Sequence, residues 1–478
     1  MSPSVKPFDE AKYKALMDGL ECIEVSLSAV KENKDFRIDS AFYTSSTRKN
    51  PTLSYGKIGD YLIESQYGIS KDMNLDGIGY PIYRMDEIHN MLCDLATEKY
   101  VGIDAATADK YLLKDGDVLF NRTNSYEFVG RTGIYYYTGT PQVFASYLVR
   151  FIPNQEYIFP EYLAAFLSTK YGVSEIKRRA RQSINQTNVN PEEVKEIQIP
   201  LLTKGLQRKI RKVFHRAHQS RLSAQSVYME ADRTLQSVFP LDGVAFSEKA
   251  YTTKTLKESF SISGRLDAEY YQPKYDAYVR ALHTFDTVNS LCVIHDRNYR
   301  PKENEPYKYI ELANVGNSGD ISNVEIINGS ELPSRARRIV KEGQVIVSSV
   351  EGSLQSCALI TDELDGALCS TGFYVLTSDS INSETLLLLF KSKIMQALLK
   401  QRCSGTILAA VTKDELLSMP LPSIDINIQA EIARKIQISF SLRRQSTQLL
   451  EYAKRAVEMA IEQGEDAALT WLTEKTGE

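Results

Sequence analysis

The alternation of apolar and polar positions predicts two long helices, over residues 207–238 and 429–462. In the first, the apolar residues from Ile210 to Val238 recur at intervals of three or four, with one gap of seven. In the second, the apolar positions from Ile432 to Ala460 lie on one side of the helix. So narrow a stripe is typical of a coiled-coil seam rather than of a helix on a broad core. We therefore expect the two helices to pack against each other; the alternative is that each packs on its own globular region.

The regions that precede these helices predict short strands followed by shorter helices. Segments rich in Tyr, Ile, Val and Phe are separated by Gly, Asn and Asp, the usual pattern of strands and turns. The predicted strands are residues 53–63, 80–85, 117–121, 133–137, 146–151, 307–312, 344–350, 358–361 and 372–376. Helices are predicted after Pro160, over residues 384–400 and over part of residues 8–32. The pattern indicates the α+β class.

An internal repeat organises the chain. Three residue pairs lie 222 positions apart (422 − 200, 429 − 207 and 432 − 210), namely Pro200 with Pro422, Gln207 with Gln429, and Ile210 with Ile432. Upstream, residues 37–43 resemble 265–271, residues 113–120 resemble 340–347, and residues 158–167 resemble 381–390, in the same order. Such self-similarity indicates two copies of one structural unit. Each copy is a mixed globular domain followed by a long helix.

Composition adds limits to this picture. The 478 residues carry a net charge of −4, and no apolar run approaches the ~20 residues of a membrane span. The first residues lack the apolar core of a signal peptide, and the six cysteines form no CxxC pair. We expect a cytoplasmic protein in a reducing compartment. The net charge argues mildly against nucleic-acid binding, yet basic residues outnumber acids within residues 170–216.

Motifs for catalysis are absent from the sequence. There is no P-loop, no glycine-rich dinucleotide fingerprint, no HExxH motif and no cysteine cluster. The Asn-Pro-Pro-aromatic motif of amino-methyltransferases is missing as well. His215 and His218 share a helix face, but solvated or seam histidines explain them better than a metal site does. We expect no catalytic residues, no metal and no cofactor in this chain.

The remaining polar motifs suit DNA binding. Short polar side chains after a strand can contact base edges or phosphates, and clustered arginines supply charge for phosphate contacts. The first copy offers Asn121, Arg122, Thr123, Asn124 and Ser125, with Arg178, Arg179 and Arg181. The second copy offers Ser348, Ser349 and Ser353, with Arg335, Arg337 and Arg338. For each arginine run, a solvated surface is the alternative.

Taken together, these features resemble the specificity subunit of a type I restriction-modification system. The resemblance covers about residues 37–462 and rests on the duplication, on the strand motifs at 116–120 and 343–347, and on the order Ile-x-Ile-Pro-Leu, Gln-x-x-Ile, long helix. It implies two target recognition domains separated by two long antiparallel coiled-coil helices. The implied segments are an N-terminal helical segment 1–35, recognition domain 36–206, helix 207–239, connector 240–263, recognition domain 264–428, helix 429–463 and an acidic tail 464–478.

The resemblance also implies function and partners. Each recognition domain would read one half of a bipartite double-stranded DNA target. The chain would have no catalytic activity and would recruit two DNA methyltransferase subunits and, for cleavage, restriction/translocase subunits. We expect the methyltransferases to dock near Gln207, Ile210, Gln429 and Ile432, the most similar segments of the two copies; a turn shared for structural reasons is the alternative.

Other function classes stay open at this stage. The same module serves type IIB-like systems, and residues 404–410 depart from the polar residues 185–188 at the matching place. A coiled-coil scaffold that does not bind DNA and an enzyme in its own right are the remaining alternatives.

Overall fold

The computed structural model describes residues 8–18, 24–32, 36–39, 42–43, 50–184, 186–239, 252–260, 264–282, 284, 286–405 and 408–477. The chain forms two compact units of mixed α and β structure. Unit 1 comprises residues 1–220 and 444–478, and unit 2 comprises residues 221–443.

The α-helices of the described residues vary from one turn to ten turns. They are α1 Glu10–Met17, α2 Leu27–Glu32, α3 Ala105–Tyr111, α4 Pro160–Ser168, α5 Lys170–Arg179, α6 Pro191–Lys195, α7 Lys204–Gln236, α8 Pro273–Leu282, α9 Val288–Leu291, α10 Ser383–Lys391, α11 Lys393–Arg402, α12 Lys413–Leu417, α13 Ile426–Gln463 and α14 Glu465–Thr476. Short 3-10 helices lie at Ile58–Tyr61, Leu312–Asn314, Glu351–Ser353 and Asp362–Leu364.

The strands are short. In unit 1 they are β1 Tyr55–Lys57, β2 Leu62–Tyr67, β3 Met73–Asn74, β4 Tyr80–Tyr83, β5 Ile88–His89, β6 Leu92–Cys93, β7 Tyr100–Val101, β8 Val118–Asn121, β9 Thr123–Asn124, β10 Thr132–Ile134, β11 Val143–Phe144, β12 Leu148–Pro153, β13 Arg181–Gln182, β14 Thr187–Asn188 and β15 Gln198–Pro200. In unit 2 they are β16 Val293–Ile294, β17 Pro306–Ile310, β18 Glu325–Asn328, β19 Ala336–Ile339, β20 Val345–Ser348, β21 Cys357–Leu359, β22 Leu368–Ser370, β23 Phe373–Thr377, β24 Cys403–Ser404 and β25 Ala410–Val411.

The centre of unit 1 is a sheet with the strand order β2-β12-β8-β10-β6-β5. Strand β8 is buried on both faces, because successive side chains alternate between faces and Leu119 and Phe120 are both fully buried. Phe120 packs in the core with Phe166 of α4, whereas Leu119 packs in a second cluster with Phe144. This continuous apolar strand holds the polar residues that follow it in fixed positions.

Unit 2 is built around β20, which pairs with β23 and β21 in antiparallel register. Val345 and Val347 of β20 pack with Leu387 and Phe390 of α10 in the main core of the unit. A second sheet, β18-β17-β22-β19, covers a smaller cluster of its own. The unit therefore combines a helix-covered sheet with a more open one.

The two long helices have nearly the predicted bounds, but their surroundings differ from the expectation. In unit 1, Ile210 and Val213 of α7 share one core with Leu449 and Ala453 of α13 and with the helices next to the sheet. In unit 2, the ends of the same helices are buried with the globular core in the same way. The helices thus pack on each other and on their globular regions together, and the expectation of mutual packing alone was wrong.

The last residues of the chain form a packed helix rather than a solvated tail. In α14, Ala468 and Leu472 are fully buried in the core of unit 1. Trp471 makes an edge-on contact with Tyr452 of α13, with ring centroids 5.7 Å apart. The acidic residues of this segment lie in its first turn, where they complement the helix dipole.

Some predicted segments lie partly outside the described residues. Of the connector 240–263, only residues 252–260 are described. Of the N-terminal segment 1–35, α1 and α2 are described and are helical as expected. Within the described part of the chain, none of the helices has the length and apolar character needed to cross a membrane.

Candidate nucleic-acid interface

Three strands of the unit 1 sheet bring polar and aromatic side chains to one edge. Strand β2 ends at Tyr67, which lies next to Val149, and β8 ends at Asn121, which lies opposite Leu148. Because β12 runs antiparallel to both, Tyr67, Arg122 and Tyr147 come together at this edge. Tyr67 and Tyr147 are both exposed. The sequence analysis missed these two tyrosines, since it ended the β2 strand before Tyr67.

Arg122 is held at this edge by several contacts. Its backbone N–H donates to the Tyr147 carbonyl (3.0 Å), and its own carbonyl accepts from the Val189 N–H (2.9 Å). Its Nε donates to the Ser146 carbonyl at 3.0 Å. The guanidinium carbon lies 5.2 Å from the centroid of the Tyr67 ring, a cation–π distance. The side chain is half-buried, and its orientation is fixed by the protein.

The neighbours of Arg122 do not all share this position. Asn121 is fully buried, and its Nδ2 donates to the Met85 carbonyl. Thr123 is buried too, and its Oγ1 donates to Asn188 Oδ1 at 2.6 Å. The predicted DNA contacts of these two side chains do not fit this geometry, because strand alternation turns them inward. Asn124 is half-buried and Ser125 is exposed, so their contacts stay predictions.

The arginine run of unit 1 is mostly engaged inside the protein. Arg179 is buried and donates to the main-chain carbonyl and the carboxylate of Glu175. Arg178 donates to Glu175 Oε1 (3.1 Å) and lies above Phe42, and burial lowers the pKa of its guanidinium. Free phosphate contacts by these two side chains were wrongly predicted, since helix α5 turns them towards the N-terminal segment. Arg181 is half-exposed and pairs with Glu193 (3.1 Å); its phosphate contact stays a prediction.

The loop after Arg122 is fastened by a lysine of the same helix. Lys177 Nζ donates to the main-chain carbonyls of Tyr126, Glu127 (3.0 Å) and Val129 (3.1 Å). Burial lowers the pKa of Lys177. This lysine therefore stabilises the loop at 125–130 rather than offering its charge to a ligand.

In unit 2, Ser349 occupies the place of Arg122. Its backbone N–H donates to the Gly372 carbonyl at 2.9 Å, as that of Arg122 does to Tyr147. Ser348 is fully buried and its Oγ lies 3.3 Å from Ser353 Oγ, so its predicted DNA contact does not fit the structure. Ser349 and Ser353 are half-buried, and their roles stay predictions.

The arginines of unit 2 lie on or beside strand β19. Arg335 is exposed and pairs with Glu311 (3.4 Å), and a hydrogen bond with Tyr309 raises the pKa of its guanidinium. Arg337 is exposed, and its Nε donates to the Ser334 carbonyl at 2.7 Å. Arg338 donates to the Phe373 carbonyl (2.8 Å) and is half-buried over Tyr374. Arg335 and Arg337 are thus the better placed of the three to contact phosphate.

The residues predicted to dock methyltransferases are core residues in both units. Gln207 and Gln429 are buried, and Ile210 and Ile432 are fully buried. The Gln207 side chain accepts from the Phe159 N–H (2.9 Å) and donates to the Tyr157 (3.2 Å) and Leu202 (2.8 Å) carbonyls.

Gln429 makes the same three bonds in unit 2. It accepts from the Asn382 N–H (2.7 Å) and donates to the Ser380 and Ile424 carbonyls, both at 2.9 Å. The prediction that these four side chains bind a partner was wrong. The alternative, a turn shared for structural reasons, accounts for their similarity.

The two histidines of α7 pack on an aromatic ring. The rings of His215 and His218 lie 5.3 and 4.5 Å from the centroid of Tyr136. His218 is buried, whereas His215 is exposed and lies 3.6 Å from Glu161. Among the described residues, no group of three or more His, Cys, Asp and Glu could hold a metal ion.

Comparison with known proteins gives this edge a context. Residues 54–224 match the model of the "Type I restriction modification DNA specificity domain". The chain is similar to a putative type I restriction enzyme MjaX specificity subunit of Methanocaldococcus jannaschii, with 32% identity over 160 residues. It is also similar to the type I restriction enzyme EcoKI specificity subunit of Escherichia coli, with 26% identity over 143 residues. These matches cover 33% and 30% of this chain and only 37% and 30% of the two relatives.

Solved structures give matches over most of the chain at low similarity. The HsdS subunit from Thermoanaerobacter tengcongensis matches at 14% identity and a TM-score of 0.30, covering 87% of this chain and 98% of that one. The S subunit of a type I restriction-modification system from M. genitalium matches at 12% identity and a TM-score of 0.37, covering 89% and 98%.

Proposed function

The chain belongs to the family of type I restriction-modification specificity subunits, and from this premise we propose that it reads a bipartite DNA target for a methyltransferase and restriction complex. Each unit supplies one reader. The chain itself performs no catalysis and needs no cofactor. Two methyltransferase subunits and the restriction/translocase subunits assemble on it.

One observation carries the proposal of two readers. The matched specificity domain lies in residues 54–224, which are almost wholly in unit 1. The contacts of Gln207 recur at Gln429 with the same donors and acceptors, at positions 222 or 223 residues further along (429 − 207, 424 − 202, 382 − 159 and 380 − 157). Such agreement supports unit 2 as a second copy of the same module.

The proposal includes a role for the long helices as an antiparallel coiled coil that spaces the readers. In unit 1, Ser446 Oγ donates to the Ala217 carbonyl at 2.8 Å. In unit 2, Ser439 Oγ donates to the Ala224 carbonyl at 2.8 Å. The two contacts are one heptad apart on each helix (446 − 439 and 224 − 217), which supports a regular seam. The docking of two methyltransferases rests on the duplication, since the four residues first considered for it are buried.

Methylation mapping tests this function. The full chain is co-expressed with a cognate type I methyltransferase subunit, and the host DNA is sequenced for modified bases; the methyltransferase alone is the control. We expect methylation only when both are present, at a motif of two short half-sites with an unread gap. A single continuous motif, or a stable complex without sequence-specific methylation, contradicts the proposal.

Two further measurements separate the alternatives. Native mass spectrometry of the complex is expected to find two methyltransferase subunits per chain. The isolated chain is expected not to bind S-adenosylmethionine, and such binding favours an enzyme in its own right. Failure of the complex to bind any DNA leaves the coiled-coil scaffold.

A further inference from the structure

We propose that Arg122 selects a guanine in the half-site read by unit 1, an inference that rests on the proposed DNA-reading function. The edge formed by Tyr67, Arg122, Ser146 and Tyr147 is a preformed reading site for one G·C base pair. Unit 2 has the same backbone arrangement without the arginine and does not read guanine at the equivalent place.

The first step is the rigidity of the site. The backbone of Arg122 is bonded on both sides, its Nε is held by Ser146, and one face of its guanidinium lies over Tyr67. The Tyr67 side is fixed in turn by Gly68, where an added Cβ would come 2.3 Å from the Ala145 carbonyl oxygen. This close approach of two backbones places Tyr67 beside Ser146. A side chain held in this manner loses little conformational freedom on binding.

The second step is what the guanidinium still offers. With Nε committed to Ser146, the two terminal nitrogens form the remaining donor edge. Within the described part of the chain, neither makes a hydrogen bond and no carboxylate pairs with Arg122. Two parallel N–H donors match guanine O6 and N7 in the major groove, whereas adenine offers one acceptor and one donor there. The site therefore fits guanine and disfavours adenine.

The third step distinguishes a base from a phosphate. Ser349 takes the place of Arg122 on the same backbone hydrogen bond, and Gly372 takes that of Tyr147. The strand pairs Phe151–Ser65 and Leu376–Ile294 align the two units, so Asp296 stands where unit 1 has Tyr67. Asp296 forms an ion pair with Lys413.

This difference between the units favours base reading. Phosphate contacts carry no sequence information and are needed by both readers alike. Side chains that read bases are expected to differ between two readers of different half-sites. The equivalent place in unit 2 holds a carboxylate, which would repel a phosphate. The edge thus has the properties of a specificity-determining position.

The test uses the complex of the full chain with its methyltransferase. The methylated motif is determined for wild type, for Arg122→Lys and for Arg131→Lys, a matched control whose guanidinium packs on Phe128 in the neighbouring loop. We expect Arg122→Lys to relax one G·C position in one half-site and to leave the other half unchanged. Lysine keeps the positive charge but not the two parallel donors. Arg131→Lys is expected to keep the wild-type motif, and equal melting temperatures show that both variants fold.

A base analogue sharpens the result. Replacing that guanine by 7-deazaguanine removes the N7 acceptor and keeps the base pair. Wild type is expected to lose roughly 5- to 150-fold in affinity, the range for one bidentate contact, whereas Arg122→Ala is expected to bind both oligonucleotides equally.

Two outcomes overturn the inference. One is a motif that keeps its guanine in Arg122→Lys, and the other is an equal loss of affinity for all sequences, which identifies a phosphate contact. Either leaves the proposed function standing if methylation remains sequence-specific. Absence of sequence-specific methylation by the wild-type complex instead refutes the proposed function itself.

Discussion

At the residue scale, the buried glutamines at the start of α7 and α13 stabilise each unit. The Gln207 amide makes three hydrogen bonds to main-chain groups. We predict that Gln207→Ala or Gln429→Ala lowers the free energy of unfolding by about 1–3 kcal/mol, because buried donors and acceptors lose their partners. Urea denaturation measures the change. The exposed Gln155→Ala is the matched control and is expected to have no measurable effect.

A second prediction at this scale concerns pH. Arg265 donates to both carboxylate oxygens of Asp267, at 2.8 and 3.0 Å, and these bonds hold the pKa of Asp267 below its ordinary value of 3.8. Since the folded pKa lies below the unfolded one, the stabilisation is present above about pH 4 and is lost as pH falls through the folded pKa.

We therefore expect Asp267→Asn to be less stable than wild type by a constant amount near neutral pH. The difference should shrink as the pH falls below about 4. Thermal unfolding across pH 3–7 measures it. Asp379→Asn, at an exposed carboxylate of the same unit, is the control. A wild-type advantage that persists unchanged at the lowest pH excludes a role for the ionised Asp267.

The sequence could predict Arg122 as a candidate, but not the site around it. A period of two after strand β8 separates Arg122 from the inward-facing Asn121 and Thr123, and that separation was available from the sequence. The contacts with Tyr67 and Ser146 depend on which strands pair, and one sequence does not specify that. The arginines of α5 misled because their partner, Glu175, lies in the same helix and their charge seemed free.

At the element scale, helix α14 tests whether the end of the chain is structural. Leu472 is fully buried, whereas Leu469 of the same helix is 38% exposed. We predict that Leu472→Ala lowers the free energy of unfolding by about 2–5 kcal/mol, as truncation of core leucines does. Leu469→Ala is expected to change it by less than about 1 kcal/mol. Similar small effects of both variants in urea denaturation would show that α14 contributes nothing to the core.

The sequence was a good guide to the long helices and a poor one to α14. Apolar spacing located α7 and α13, although α7 begins at Lys204 despite a glycine in its first turn. In α14 the acidic residues dominated the interpretation. Its buried face needs only Ala468 and Leu472, because α13 and the sheet helices of unit 1 supply the rest of the core. So short an apolar pattern is invisible without its packing partners.

At the scale of the whole molecule, the proposed coiled coil makes a prediction about the DNA target. Helix α7 has 33 residues, hence a length of roughly 50 Å at 1.5 Å per residue. If the two helices set the separation of the readers, a longer seam lengthens the unread gap. A rigid helix pair transmits added length, whereas a flexible linker would not.

The test inserts one heptad after Ala224 and one after Thr447, which preserves the seven-residue spacing of the seam. Each insertion adds about 10 Å of helix, equivalent to at most about three base pairs at 3.4 Å each. We predict that the methylated motif keeps both half-sites and that its gap grows by up to this amount. A matched variant with two residues inserted at each place shifts the seam out of register and is expected to lose activity. An active heptad variant with an unchanged gap would assign the spacing of the half-sites to the methyltransferase subunits.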